Sequence, residues 1–165
     1  MELNTSIYPF SLSEFVPRVT NVHEELDFLV DVSSEMRSFK GLGEFLTSAL
    51  GYCTNKLNFY TYDTYPESED RVYKMHEDRS YVPSSSAPVI VFSTFRGLLG
   101  LPESRSLSAQ LKFLRRFEND SKELLILNPV SFEFLGDTNA KRLQFSFEMF
   151  DPTIENLVSF LNKKS

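Results

Sequence analysis

The stretch from Val130 to Ser165 constrains the fold most, because it carries two strand-like runs and a helix with its own start and stop signals. Val130, Phe132 and Phe134 alternate with Ser131 and Glu133, and Leu143, Phe145, Phe147 and Met149 alternate with Arg142, Gln144, Ser146 and Glu148. Alternation of this kind puts each apolar set on one face of a half-buried strand. Between the runs, Gly136, Asp137, Thr138 and Asn139 supply turn residues, so the pair predicts a β-hairpin. Asp151 and Pro152 then mark a helix start: the carboxylate accepts from the free N–H groups of the first turn, and proline at the first position lacks only an N–H that would have no partner. Ile154, Leu157, Val158 and Leu161 follow as one apolar stripe.

Upstream, Asn21 to Glu24 has capping-box spacing ahead of Leu26, Leu29 and Val30, which predicts a helix from about Val22. Gly41 and Gly43 read as a stop, and Glu44 to Leu50, closed by Gly51, as a further short helix. Leu57, Phe59 and Thr61 predict a strand, Val72 to Met75 a short one, and Val89 to Phe95 a buried one. Leu107, Leu111 and Leu114 have helical spacing, and Leu124 to Leu127 is another strand. This order predicts an α+β fold: a single domain over 1–165 with a mostly antiparallel sheet, helices packed on one face and a C-terminal hairpin-helix unit. A polar loop rich in tyrosine and acids is expected at about 63–88.

Sixteen phenylalanines and no tryptophan imply a phenylalanine-filled core. The single cysteine, Cys53, makes no internal disulfide, which fits a reducing, cytoplasmic compartment. No basic stretch followed by an apolar one opens the sequence, and runs such as Val89 to Phe92 are too short to span a bilayer, so no membrane partner is expected. A net charge of −6 argues against nucleic acid, whose phosphates call for a basic face. Lys112, Arg115 and Arg116 form one local basic cluster, read as a solvated helix face.

The sequence carries no phosphate-cradling glycine loop and no nucleophile elbow. His23 has no second histidine one turn on, so no metalloprotease motif is formed. Phe95 to Gly100 resembles the glycine-leucine turn of baseplate wedge subunits in contractile injection machines, but the basic, histidine-containing stretch that those subunits show further on is missing here. No cofactor, metal or catalytic residue is therefore assigned.

One regional signal remains. Six of the seven tyrosines, Tyr52, Tyr60, Tyr62, Tyr65, Tyr73 and Tyr81, fall in one window and are interleaved with acids. Tyrosine offers a large contact area with few rotatable bonds and a hydrogen-bonding tip, and is enriched at interfaces. The expectation is a non-enzymatic protein–protein interaction or assembly module, such as a structural subunit of a larger machine, with Tyr62, Tyr65, Tyr73 and Tyr81 as partner-binding anchors. Its partner is a protein or a second copy of the chain. The alternatives are a metal-dependent hydrolase or nuclease using Asp63, Glu67, Asp70, His76 and Asp78, and an acidic inhibitor or immunity-type protein that neutralises a basic partner.

Overall fold

A computed structural model describes residues 12–63, 73–74, 87–95, 103–120, 122–130 and 139–163, with the backbone alone at 73–74 and 103–106. The short helix α1 (Leu12–Phe15) runs into a 3-10 turn at Val16–Arg18 that contains Pro17. The strand β1 (His23–Asp31) follows, then a 3-10 helix at Ser34–Phe39 that continues directly into α2 (Lys40–Gly51). After β2 (Thr54–Tyr62) and the two-residue β3 (Tyr73–Lys74) come β4 (Val89–Phe92), α3 (Glu103–Asn119) and β5 (Leu124–Leu127). The described chain closes with α4 (Asn139–Leu143) and α5 (Ile154–Leu161).

The sheet order is β3-β2-β1-β4-β5. β1 pairs in parallel with both β2 and β4, and β4 pairs in parallel with β5; only the edge strand β3 is antiparallel. The fold is therefore α/β with a four-stranded parallel sheet, which corrects the expectation of a mostly antiparallel α+β sheet. The expected packing of helices on one face is also corrected. One core joins Phe28, Ile90 and Phe92 to Leu46 of α2 and Leu157 of α5, and a second joins Leu29, Val91 and Ile126 to Leu114 and Phe117 of α3. Connections between parallel strands are right-handed, and strands are added leftward from β1 to β2 but rightward from β4 to β5. The helices α2 and α3 must then lie on opposite faces.

Central parallel strands are covered on both sides and read as near-continuous apolar runs. This explains β1. Leu26, Leu29 and Val30 mimic a helical stripe, yet Leu26 to Asp31 are all buried because both faces are covered. The helix expected from about Val22 is thus a strand, and losing it as a strand hid the β-α-β order. Gly41 and Gly43 do not stop a helix either; both lie within α2, which buries Leu42, Leu46, Ala49 and Leu50 on one stripe.

The predicted hairpin is overturned in its second half. Residues 139–143 are helical and 144–146 form turns. Ala140, Leu143 and Phe147 face the core at helical spacing, while Phe145, which strand alternation would place beside them, is 91% exposed. The first run lies outside the described residues beyond Val130. The closing helix is as expected, but its cap is Thr153, whose Oγ1 accepts from the Asn156 N–H at 3.2 Å; the Asp151 carbonyl accepts from the Asn156 side-chain amide. Phe150 makes a parallel bridge to Leu127 that covers the far sheet edge.

Candidate functional site

In open parallel sheets, ligands bind in the crevice beyond the carboxyl ends of the strands, where the order of strand addition reverses. Here that point lies between β1 and β4. Each of the four parallel strands ends there in a buried polar residue: Tyr62 on β2, Asp31 on β1, Ser93 after β4 and Asn128 after β5. The Ser93 hydroxyl donates to Asp31 Oδ2 at 2.7 Å and accepts from the Phe95 N–H at 3.0 Å. Asp31 Oδ1 accepts from the Ser33 N–H at 2.9 Å. Asn128 donates to the Thr94 carbonyl at 3.3 Å and accepts from the Val130 N–H at 2.9 Å. A buried carboxylate is tolerated only when its oxygens are satisfied in this way. Phe95 adopts φ 52°, a left-handed conformation that is costly for a bulky residue, with its ring fully buried.

Among the described residues, two groups near this edge find no hydrogen-bonding partner. The hydroxyl of Tyr62 is buried, and its oxygen meets no partner in hydrogen-bonding geometry. Burial, and then the Asp31 carboxylate, push its ionisation well above the ordinary tyrosine value, and the Ser93 hydroxyl pulls more weakly the other way. Both amide atoms of Gln110 on α3 are likewise buried without partners among the described residues. Gln110 precedes Phe113 by one turn on the core stripe of α3, and the Phe113 ring packs on Tyr62 at 5.4 Å between centroids. The two orphans therefore share the face of the sheet that α3 covers.

On the opposite face, a cavity of about 590 Å³ opens beside the carboxyl ends of β1 and β2. Met36, Phe39, Phe59 and Phe92 give it an apolar lining, and Phe59 and Phe39 are only partly buried. Val32, 57% exposed, stands at its mouth with Arg37, Lys40 and Glu44. Lys40 and Glu44 belong to α2 and Arg37 to the 3-10 helix before it, so three charges line one side at near-helical spacing. Among the described residues, neither Arg37 nor Lys40 forms an ion pair.

Of the expected tyrosine anchors, Tyr62 is only 2% exposed and packs in the core. Its assignment as a surface anchor is corrected: the last residue of a parallel strand, on the face that α3 covers, turns inward. Tyr73 lies on β3, paired in register with Thr61, and Thr61 lines the cavity. Tyr65 and Tyr81 lie outside the described residues. So do Glu67, Asp70, His76 and Asp78; Asp63 is described, and exposed, just beyond β2. Among the described residues no three His, Cys, Asp or Glu side chains converge on a common point.

The remaining reactive groups lie away from this edge. The His23 Nε2–H donates to the Leu161 carbonyl at 2.8 Å, at the other end of the nine-residue strand β1. The Cys53 thiol is buried between α2 and β2 and donates to the Ala49 carbonyl at 3.3 Å. Burial pushes it up to about 11. Lys112 and Arg115 are exposed on α3, as expected of a solvated face, and the Arg116 guanidinium lies 5.9 Å from the centre of the Phe117 ring.

What the sequence missed is the whole carboxyl edge. Asp31, Ser33, Arg37 and Lys40 stand in a stretch that helical spacing claimed. The signal that finds them is an apolar run ending in Asp and followed by small polar residues, once the run is read as a central strand.

Fold and site together define an α/β protein with helices on both faces of a parallel sheet and a cleft at the sheet's carboxyl edge. No helix among the described residues is long and apolar enough to cross a membrane. Compared with protein families, curated proteins and solved structures, the chain matches none.

Proposed function

We propose that this protein is a non-enzymatic interaction or assembly module whose partner, another protein, engages the cleft at the carboxyl ends of β1 and β2. The observation that carries this reading is the cleft itself: about 590 Å³ with an apolar floor, a charged mouth and the exposed apolar side chain of Val32 beside it. Apolar concavities with a few polar groups at the rim are where partners and ligands insert their anchoring side chains. The tyrosine-rich segment supports the same corner, because β3 places Tyr73 at the register position beside Thr61. Tyr65, Tyr73 and Tyr81 remain the proposed secondary anchors.

The test is site-specific photocrosslinking from position 32 in cells, followed by reconstitution with the purified partner. Val32 is exposed, so Val32→Asp leaves the fold intact while placing a charge at the cleft mouth. Crosslinking from position 32 but not from the distant Lys122, together with lost binding in Val32→Asp, is the expected result. A partner whose affinity for Val32→Asp equals that for the natural protein rules the cleft out.

A further inference from the structure

We infer that Phe95 plugs a second binding site, under α3 at the carboxyl edge of the sheet, and that this site takes a planar, uncharged ring bearing a carbonyl and an N–H side by side. The site lies on the opposite face of the sheet from the cleft of the proposed function and does not depend on it. Three anomalies meet here. Phe95 holds a left-handed φ of 52°, which a bulky side chain rarely adopts, and its ring is buried in the core that α3 covers. The Tyr62 hydroxyl is buried with only the Ser93 hydroxyl nearby and no partner in good geometry among the described residues. Both amide atoms of Gln110 are buried without a partner among the described residues. Ser93 links the first two, since its hydroxyl also accepts from the Phe95 N–H at 3.0 Å. Phe113 links the last two, with its ring packed on Tyr62 and its place on α3 one turn from Gln110.

A strained backbone and unpaired buried polar groups both raise the energy of the folded chain, and such features cluster at functional sites. One movement relieves all three. When the Phe95 ring leaves the core, its backbone relaxes, and a ring-sized space opens in the part of the core that Tyr62 and Gln110 border. That space falls where the order of strand addition reverses, the place at which open parallel sheets bind ligands. Its size sets the ligand's size, because an apolar void of about 150 Å³ takes up one benzene-sized ring. Gln110 sets the edge of the ring. A carboxamide presents a donor and an acceptor in one plane, so a group that satisfies both presents an acceptor and a donor side by side, as a lactam does. Tyr62 adds one O–H. The Asp31 carboxylate is close enough to push the ionisation of Tyr62 up, so the local field is negative and rejects an anion. A bare hydrocarbon ring fills the space but leaves the amide and the hydroxyl unpaired, and sites built to hydrogen-bond reject analogues that lack the group.

The experiment titrates the natural protein with uracil and with 2-pyridone, using benzene and benzoate for comparison, and follows amide chemical shifts. Both lactams should shift Ser93, Phe95 and Gln110 saturably, and benzene and benzoate should bind about tenfold more weakly or worse. Tyr62→Phe and Gln110→Met keep the core filled, and each should weaken uracil about tenfold without loss of stability. A crystal of the uracil complex should show the Phe95 ring outside the core. The inference is overturned if neither lactam gives a saturable shift, if the shifts fall on Val32 and Thr47 in the cleft, or if benzene binds as tightly as uracil. Undiminished uracil binding by Gln110→Met overturns it too. So does a crystal grown with uracil in which Phe95 stays buried and ordered water alone meets Tyr62 and Gln110.

Discussion

Ser93 donates its hydroxyl to Oδ2 of Asp31 at 2.7 Å, and this bond ties the carboxyl ends of β1 and β4, the two strands between which the order of strand addition reverses. Sheets of this kind are most open at that point. Here it is held shut from within by a buried carboxylate and its two donors.

Removing the Ser93 hydroxyl leaves one Asp31 oxygen short of a donor in a dry site. Hydrogen bonds to charged groups contribute about 1.5–3 kcal/mol, so Ser93→Ala should cost that much in urea denaturation. Because the two residues form one unit, Asp31→Asn and Ser93→Ala combined should cost less than the sum of the singles. Simple additivity would mean that the bond contributes nothing of its own.

The opposite outcome is expected at the orphan groups. Tyr62→Phe removes a buried hydroxyl that, among the described residues, has no partner in good hydrogen-bonding geometry and only the Ser93 hydroxyl nearby, and Gln110→Met removes a buried amide without a partner among the described residues while keeping the volume. Each should leave stability unchanged or raise it by up to about 1–3 kcal/mol, the cost of desolvating an unpaired polar group. A loss of stability on Tyr62→Phe would show that the hydroxyl is bonded after all.

The Cys53 thiol, pushed up to about 11 by burial, should react with Ellman's reagent at pH 8 only as fast as the chain opens, and immediately in denaturant. The sign of its pH effect follows from proton binding. Below about 9 both states keep the proton; between about 9 and about 11 the unfolded chain loses it while the folded chain does not. Unfolding is therefore favoured as pH rises through that window. Denaturation curves of Cys53→Ala should decline less steeply there than those of the natural protein. Identical slopes would contradict the burial shift.

At the start of α5, Thr153→Ala should cost about 0.5–2 kcal/mol, because the Oγ1 that accepts from the Asn156 N–H is lost. Asp151→Ala should cost less, since the structure uses the Asp151 carbonyl rather than its side chain as an acceptor. Thermal melts of the two variants decide between Thr153 and the residue that the sequence alone nominates.

How much of this was legible beforehand follows from where burial is two-sided. β2 was readable because its one face is only partly covered, and alternation survives at Leu57, Phe59 and Thr61. α3 and α5 were readable because one stripe of each faces the sheet. β1 was not: covered on both faces, it has no period, and its chance spacing of leucines imitated a helix. That one misreading removed a parallel strand, turned the sheet antiparallel on paper and hid the polar ends of the strands. The second half of the expected hairpin failed for the converse reason. Leu143 and Phe147 satisfy the strand period and the helical one equally, and only the exposure of Phe145 tells them apart. The cleft was beyond reach of sequence, because its lining comes from three strands, α2 and a 3-10 helix that meet only in the fold.

Gly43 lines the cleft from α2, and a methyl group built there would meet Phe92 Cε1 at 3.5 Å and Val30 Cγ1 at 4.0 Å, ordinary contact distances. The wall of the cleft thus has a vacancy one carbon deep. Gly43→Ala should stiffen the helix by about 0.5–1 kcal/mol while making the chamber shallower by that carbon. Folding strength and capacity for an occupant are set in opposition at a single position, and a chain selected for the sturdier helix would give up part of its receptacle.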